Sequence, residues 1–168
     1  MISNEMETAL NEQVNKEFYS AYLYLGMSAW CSENGLPGSA NWFMVQHEEE
    51  QTHALKVYRY LLEQGEHVEL LGMKPVKTVY KSLLACFEKS LAHEQSMTKS
   101  FNNLCDLAIK EKDHASYGFL QWFVNEQVEE EATVSDVIGK LKLVGDGNGI
   151  FMIDNQLSER SAEPQPTL

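Results

Sequence analysis

Apolar residues recur every three to four positions through four long stretches of the chain, the period of helices that each bury one face. In the first, the inward positions are Met6, Leu10, Val14, Glu17, Ala21, Tyr24 and Ser28. The second runs Phe43, His47, Glu50, Ala54, Val57 and Leu61, with His53 one turn beyond Glu50 and close to the same face. The third runs Leu84, Phe87, Leu91, Glu94, Thr98, Phe101, Cys105 and Ala108, and the fourth Leu120, Phe123, Gln127, Glu130, Val134, Val137 and Leu141. Breaks in the pattern coincide with helix punctuation: Asn34-Gly35 closes the first stretch, Pro37-Gly38-Ser39 opens the second, and Gly65 closes it. Asp113 precedes the last stretch, and a glycine-rich run from Gly145 to Gly149 follows it.

These signals predict an all-α chain with helices over 5–33, 40–64, 82–111 and 114–144, a short fifth helix over 150–158, and a polar, proline-containing tail, 159–168, that reads as disordered. Residues 1–158 are expected to form one domain. Short links between the first and second, and the third and fourth, helices make those pairs antiparallel neighbours. The segment 65–81 is different. A helix of about 27 residues is about 40 Å long, and a segment of this length, extended, can cross that distance. The pattern therefore predicts two antiparallel helical hairpins joined by one long crossover.

At 168 residues and 43% hydrophobic content, the chain can bury a core without disulfide staples. The N-terminal MISNEMETALNEQ has neither a basic nor an apolar leader region, and no stretch has the roughly 18 apolar residues of a membrane span. A soluble, cytoplasmic protein is the expectation, with no membrane partner. Cys31, Cys86 and Cys105 form no CxxC pair and read as reduced, buried residues. Twenty-five acids against thirteen bases give a formal charge of −12, which argues against nucleic acid as a partner and is compatible with cations.

Each long helix carries one glutamate inside its apolar stripe, near mid-length: Glu17, Glu50, Glu94 and Glu130. Glutamate is among the residues least often buried. Four carboxylates converging in a low-dielectric interior repel one another and lose hydration, so some must take up protons unless cations compensate them. Two divalent cations would do so. Carboxylate oxygens with an imidazole nitrogen suit iron or manganese, and the spacing of Glu50 and His53 puts both on one helical face.

Glu17, the Glu50-Gln-Thr-His53 motif, Glu94 and the Gln127-Val-Glu-Glu130 pair resemble the ferroxidase centre of bacterial non-haem ferritins. The likeness spans nearly the whole chain, including the phrases EFYSAYLYL, EEEQTHA and FLQWFVNEQVEEE. It implies a ferritin-like four-helix bundle with a short C-terminal fifth helix. It further implies iron storage, with Fe(II) oxidised by O2, or by H2O2, at a di-iron centre and ferric mineral deposited inside a homo-oligomeric cage of 24 subunits. By this resemblance Glu17, Glu50 and His53 hold one iron, Glu94 and Glu130 the second, Glu50 bridges them, and Gln127 lies close to the pair. A third, flanking iron maps onto Glu49, Glu126 and Glu129 with Glu130. Tyr24 is implied to hydrogen-bond at the site and to supply an electron during oxygen reduction, and the fifth helix to form contacts around four-fold axes.

The residues by themselves leave plainer readings open. Glu49, Glu126, Glu129 and Glu131 flank the stripes and fit an ordinary solvated face. Tyr24 and Trp122 fit packing. His47 reads as a hydrogen-bonded core histidine, His67, His93 and His114 as exposed, and the fifth helix could fold on its own bundle. Haem is disfavoured, because Gln127-Val-Glu-Glu130 replaces the second Glu-x-x-His pair of bacterioferritins and Gln51 stands where their haem-ligating methionine would be. Two other classes remain as alternatives: a discrete soluble di-iron oxidase without storage, and a metal-free helical interaction module.

Overall fold

The computed structural model describes residues 2–145 and 147–161. Among them the regular elements are all helical: α1 (Asn4–Glu33), α2 (Pro37–Glu63), α3 (Leu83–Glu111), α4 (His114–Val144) and α5 (Gly149–Leu157). The expected boundaries hold to within a residue except at α2, which begins at Pro37 rather than 40, a proline being favourable at the first helical position. Ser3, Ser82 and Asp113 cap α1, α3 and α4 by accepting from the backbone N–H groups of Met6, Ala85 and Ser116.

α2 has no cap of its own. Asp154 of α5 supplies one, its carboxylate accepting from Gly38 N at 3.0 Å, Ser39 N at 2.7 Å and Ser39 Oγ at 2.6 Å. A buried anion thus sits on the positive end of α2 and fixes α5 against the bundle. The approach is so close that a Cβ on Gly38 would come within 1.7 Å of the Asp154 carbonyl oxygen, so position 38 admits only glycine. Ile153 and Leu157 complete this seat, leaving Phe151 and Met152 outward at 70% and 73% exposure. The fifth helix therefore does fold on its own bundle, with one apolar face left over.

The crossover follows α1 along its length. Asn11 and Asn15, one turn apart, each both donate to and accept from its backbone: Asn11 bonds His67 O and Glu69 N, and Asn15 bonds Glu69 O and Leu71 N. Further on, Val76 and Thr78 pass over Gly26, and Trp30 packs edge-on to Tyr80 at 5.6 Å. Running parallel to α1, the crossover delivers α3 antiparallel to it, and α1 pairs with α2 and α3 with α4.

Two apolar clusters fill the bundle, one on each side of its middle. One contains Met27, Trp42, Phe43, Phe87, Leu141 and, from α5, Ile153 and Leu157; the other contains Met6, Leu10, Leu61, Phe101, Leu120 and Phe123. The stripes of α1 and α4 are buried throughout, and that of α2 is buried except at His47. α3 departs from expectation. Phe87, Glu94, Phe101, Cys105 and Ala108 are buried as predicted, but Leu84, Leu91 and Thr98 lie only at the margin, while Leu83, Ser90, Met97 and Leu104 face inward. Two interleaved series share every seventh residue, and the helix turns inward the one carrying Ser90, whose Oγ lies 3.1 Å from the Tyr24 hydroxyl. Of the predicted tail, 162–168 lie outside the described residues. Residues 159–161 are described, and Arg160 is seated against the bundle.

Candidate metal centre

Between the two apolar clusters, all four long helices turn polar side chains inward. Glu17 from α1, Glu50 and His53 from α2, Glu94 from α3, and Gln127 and Glu130 from α4 are all 9% exposed or less. One ligand-type atom from each of Glu17, Glu50 and His53 lie within 4.8 Å of one another, and so do atoms of Glu50, Glu94 and Glu130. Glu50 belongs to both groups. Two adjacent cation positions sharing one carboxylate are what this geometry offers.

Neighbouring amides surround the carboxylates with donors. Gln13 Nε2 donates to Glu17 Oε1 at 2.7 Å, Gln46 Nε2 to Glu130 Oε1 at 3.0 Å and Glu50 Oε1 at 3.4 Å, and Gln127 Nε2 to Glu94 Oε2 at 3.1 Å. Tyr24 donates its hydroxyl proton to Glu94 Oε1, with Ser90 Oγ 3.1 Å away. Gln13 and Gln46 escaped the sequence reading, yet each stands four residues before a glutamate it supports, a helical spacing that was available in the sequence. These donors still leave atoms over. Glu17 Oε2, Glu130 Oε2 and both ring nitrogens of His53 are buried without a hydrogen-bond partner. Buried polar groups are normally satisfied, so orphan atoms in both ligand groups, on Glu17 and His53 in one and on Glu130 in the other, fit cations.

Electrostatics say the same. Burial, and then the charge of Glu50, push the Glu17 carboxyl well above its ordinary range, and burial with the Glu94 and Glu50 charges does likewise for Glu130. Glu94 is pushed up to about 7, chiefly by burial. Glu50 goes the other way: burial raises it, but the His53 ring, 3.6 Å away, outweighs the burial and lowers it. Burial lowers His53, and Glu50 at 3.6 Å more than restores it, helped by Glu126 and Glu49. Without metal, protons occupy the cluster as substitutes for cations, and Tyr24, raised by burial and then by Glu94, keeps its own.

Glu49, Glu126 and Glu129 do not join the buried cluster. They line a cavity of about 390 Å³ whose wall also includes His53 and Glu130, so they stand outward of the centre on a space continuous with it. A larger cavity, about 710 Å³, lies under the crossover beside His93 and contains none of the clustered residues. His93 is the one histidine misread: it is half-buried, 2.7 Å from Ser20 Oγ, with its ring edge-on to Tyr24. His47 bonds Ala21 O at 2.7 Å, and His67 and His114 are exposed. Trp122 packs edge-on against His53 at 5.3 Å, with Lys56 over its face. All three cysteines are buried and unbridged.

Fold and site together define an all-α bundle protein with a buried carboxylate and histidine cluster able to hold metal. Comparison with known proteins narrows the class: residues 7–144 match the family model of the ferritin-like domain. A bacterial non-heme ferritin of Campylobacter jejuni is 46% identical over 158 residues, covering 94% of this chain and 95% of its own, and one of Staphylococcus saprophyticus is 43% identical over 162. Among solved structures, an open pore ferritin from the archaeon Archaeoglobus fulgidus superposes with a TM-score of 0.95 at 43% identity, covering 96% of this chain and all of its own. The chain belongs to the ferritin family. No helix among the described residues is long and apolar enough to cross a membrane.

Proposed function

We propose that the chain, through one ferritin-like domain over 1–158, is an iron-storage ferritin that oxidises Fe(II) with O2 at the mid-bundle cluster. The observation that carries this reading is the shared carboxylate: Glu50 closes both ligand groups, so two iron ions bind side by side. Glu17, Glu50 and His53 hold the first, and Glu50, Glu94 and Glu130 the second. Adjacent Fe(II) substrates deliver two electrons together, so O2 need not leave as a one-electron product. Hard oxygen donors favour Fe(III) over Fe(II) and draw the oxidation forward.

The protein's own groups manage charge and protons. Fe(II) entry expels the protons that burial and repulsion hold on Glu17, Glu130 and part of Glu94, so iron binding releases protons near neutral pH. Gln13 and Gln46 hold the carboxylates in place through the exchange. Tyr24 hydrogen-bonds Glu94 from beside the second position, close enough to serve as an electron donor. Gln127 donates to Glu94 where a further carboxylate would bind iron directly, which leaves the second ion weakly held and free to move toward mineral. Gln127→Glu is expected to retain ferric ion at the centre and slow mineral growth; unchanged retention and growth would remove this role.

Storage needs a compartment larger than one bundle. The reading therefore includes a cytoplasmic cage of 24 subunits, with the outward face of α5, Phe151 and Met152, covered by neighbouring copies. A third, flanking iron sits at Glu49, Glu126 and Glu129 with Glu130, on the cavity outside the centre. An aerobic Fe(II) titration of metal-free protein tests the whole reading. The expected result is a fast oxidation phase saturating near two irons per chain, followed by continued soluble uptake. A fast phase without further uptake would instead make the protein a discrete di-iron oxidase, and no fast phase would remove the centre.

A further inference from the structure

Beyond the end of α5 the chain turns back over the mouth of the acidic cavity. Asn41 of α2 holds it there, donating through Nδ2 to the carbonyl oxygens of Ser158 at 3.4 Å and Arg160 at 3.0 Å. The Arg160 guanidinium lies over the Trp42 ring, 4.2 Å from its centroid, and Nη2 donates to Glu49 Oε2 at 2.5 Å. Both partners are largely withdrawn from water, at 20% and 11% side-chain exposure. A planar, permanently charged group stacked on an aromatic face and bonded to a carboxylate is well suited to hold that carboxylate as an ion would.

The same cavity has unsatisfied ligand atoms at its inner end. His53 and Glu130, 1% and 9% exposed, line it with both ring nitrogens and Glu130 Oε2 lacking hydrogen-bond partners. Lys140, another base on the wall, is engaged by Asp136 at 2.8 Å. The cavity thus runs from unpartnered ligand atoms within to a guanidinium held on Glu49 at its rim.

We propose that Arg160 is a built-in competitor for the outermost metal position of this cavity. Its guanidinium neutralises Glu49 until a divalent cation displaces it, so the segment after α5 gates the outer side of the centre. The inference rests on reading the buried cluster as a metal centre. While bound to Arg160, Glu49 is a poor ligand, and a cation arriving beside it meets a like charge. Once Glu49 turns to the metal, the guanidinium keeps only the Trp42 face, while Asn41 still holds the Ser158 and Arg160 carbonyls, so the side chain can swing out as the backbone stays in place.

Calorimetric titration of Zn²⁺, a divalent ion without redox chemistry here, into the assembled metal-free protein tests the gate. Wild type is expected to take two ions tightly and a third weakly. Arg160→Gln should tighten the third ion by roughly tenfold or more while changing the first two by under about threefold. Adding Glu49→Gln to that variant should abolish the gain, and Asn41→Ala, which loosens the clamp, should give a smaller gain of the same sign. A third ion bound no better in Arg160→Gln, with two tight ions present in wild type, would overturn the gate and leave the centre standing. No tight ions in wild type would overturn the centre and the gate with it.

Discussion

Toward one end of the bundle, Phe43 and Phe87 meet with ring centroids 4.7 Å apart; toward the other, Phe101 and Phe123 stack at 4.6 Å. Between them the same four helices present Glu17, Glu50, Glu94 and Glu130, with buried atoms that no protein group satisfies. The ends remove apolar surface from water and hold the fold together. The middle does the reverse, gathering groups that burial and mutual repulsion force to hold protons. A layer that destabilises the metal-free chain, kept on every helix at the same level, belongs to chemistry rather than to folding.

The sharpest way to break this contrast is to truncate one end and observe the loss. Phe123→Ala removes a fully buried ring from a stacked pair and should cost about 3–5 kcal/mol in metal-free protein, read from its denaturant midpoint. Somewhat smaller is the effect of pH through Glu94 alone. Glu94 is held near 7 in the folded chain, above its ordinary value, so its contribution is fully present below about 4.5 and is lost as pH rises through about 7. Metal-free protein should therefore be less stable at pH 8 than at pH 5, by about 3 kcal/mol from this group alone. Glu17, Glu130 and His53, also raised, add in the same direction, whereas lowered Glu50 stays ionised across that window and adds no slope. Saturating Zn²⁺ should flatten the profile, and a flat metal-free profile would contradict the assignment.

Replacing a middle-layer glutamate should have the opposite sign to truncating an end. Glu17→Leu removes a buried, partly orphaned carboxyl and is expected to leave metal-free protein as stable or more so, by about 2 kcal/mol, while abolishing binding at one ion position. If it destabilised as much as Phe123→Ala, the two regions would not differ in kind. The smallest effect falls where they meet. Tyr24→Phe keeps the ring on Phe43 but deletes the donor to Glu94, costing about 1 kcal/mol. Because that hydrogen bond lowers the Glu94 pKa, its loss should move the midpoint of the pH profile upward.

The same division explains what was legible in the sequence. A glutamate inside an apolar stripe is visible because it violates the pattern, so the residues of the buried cluster could be read off helical spacing and resemblance together. The crossover was legible from length alone, although the Asn11 and Asn15 contacts that hold it were not. On α3 two apolar series share every seventh position, and periodicity could not choose between Leu91 and Ser90. His93 carries no apolar signature, and only the packing of α1 against α3 brings it to Ser20. Asp154 and Arg160 were illegible for a related reason: each acts across more than a hundred residues, at the start of α2 and on Glu49, through contacts that leave no local period.

Crystals of metal-free protein soaked anaerobically in Fe(II), with anomalous difference maps at the iron edge, test the central claim most directly. Two peaks roughly 3.5–4 Å apart are expected in the middle layer, with Glu50 between them, Glu17 and His53 on one side, and Glu94 and Glu130 on the other. Peaks confined to Glu126 and Glu129 on the outer cavity, with the buried carboxylates unligated, would contradict it.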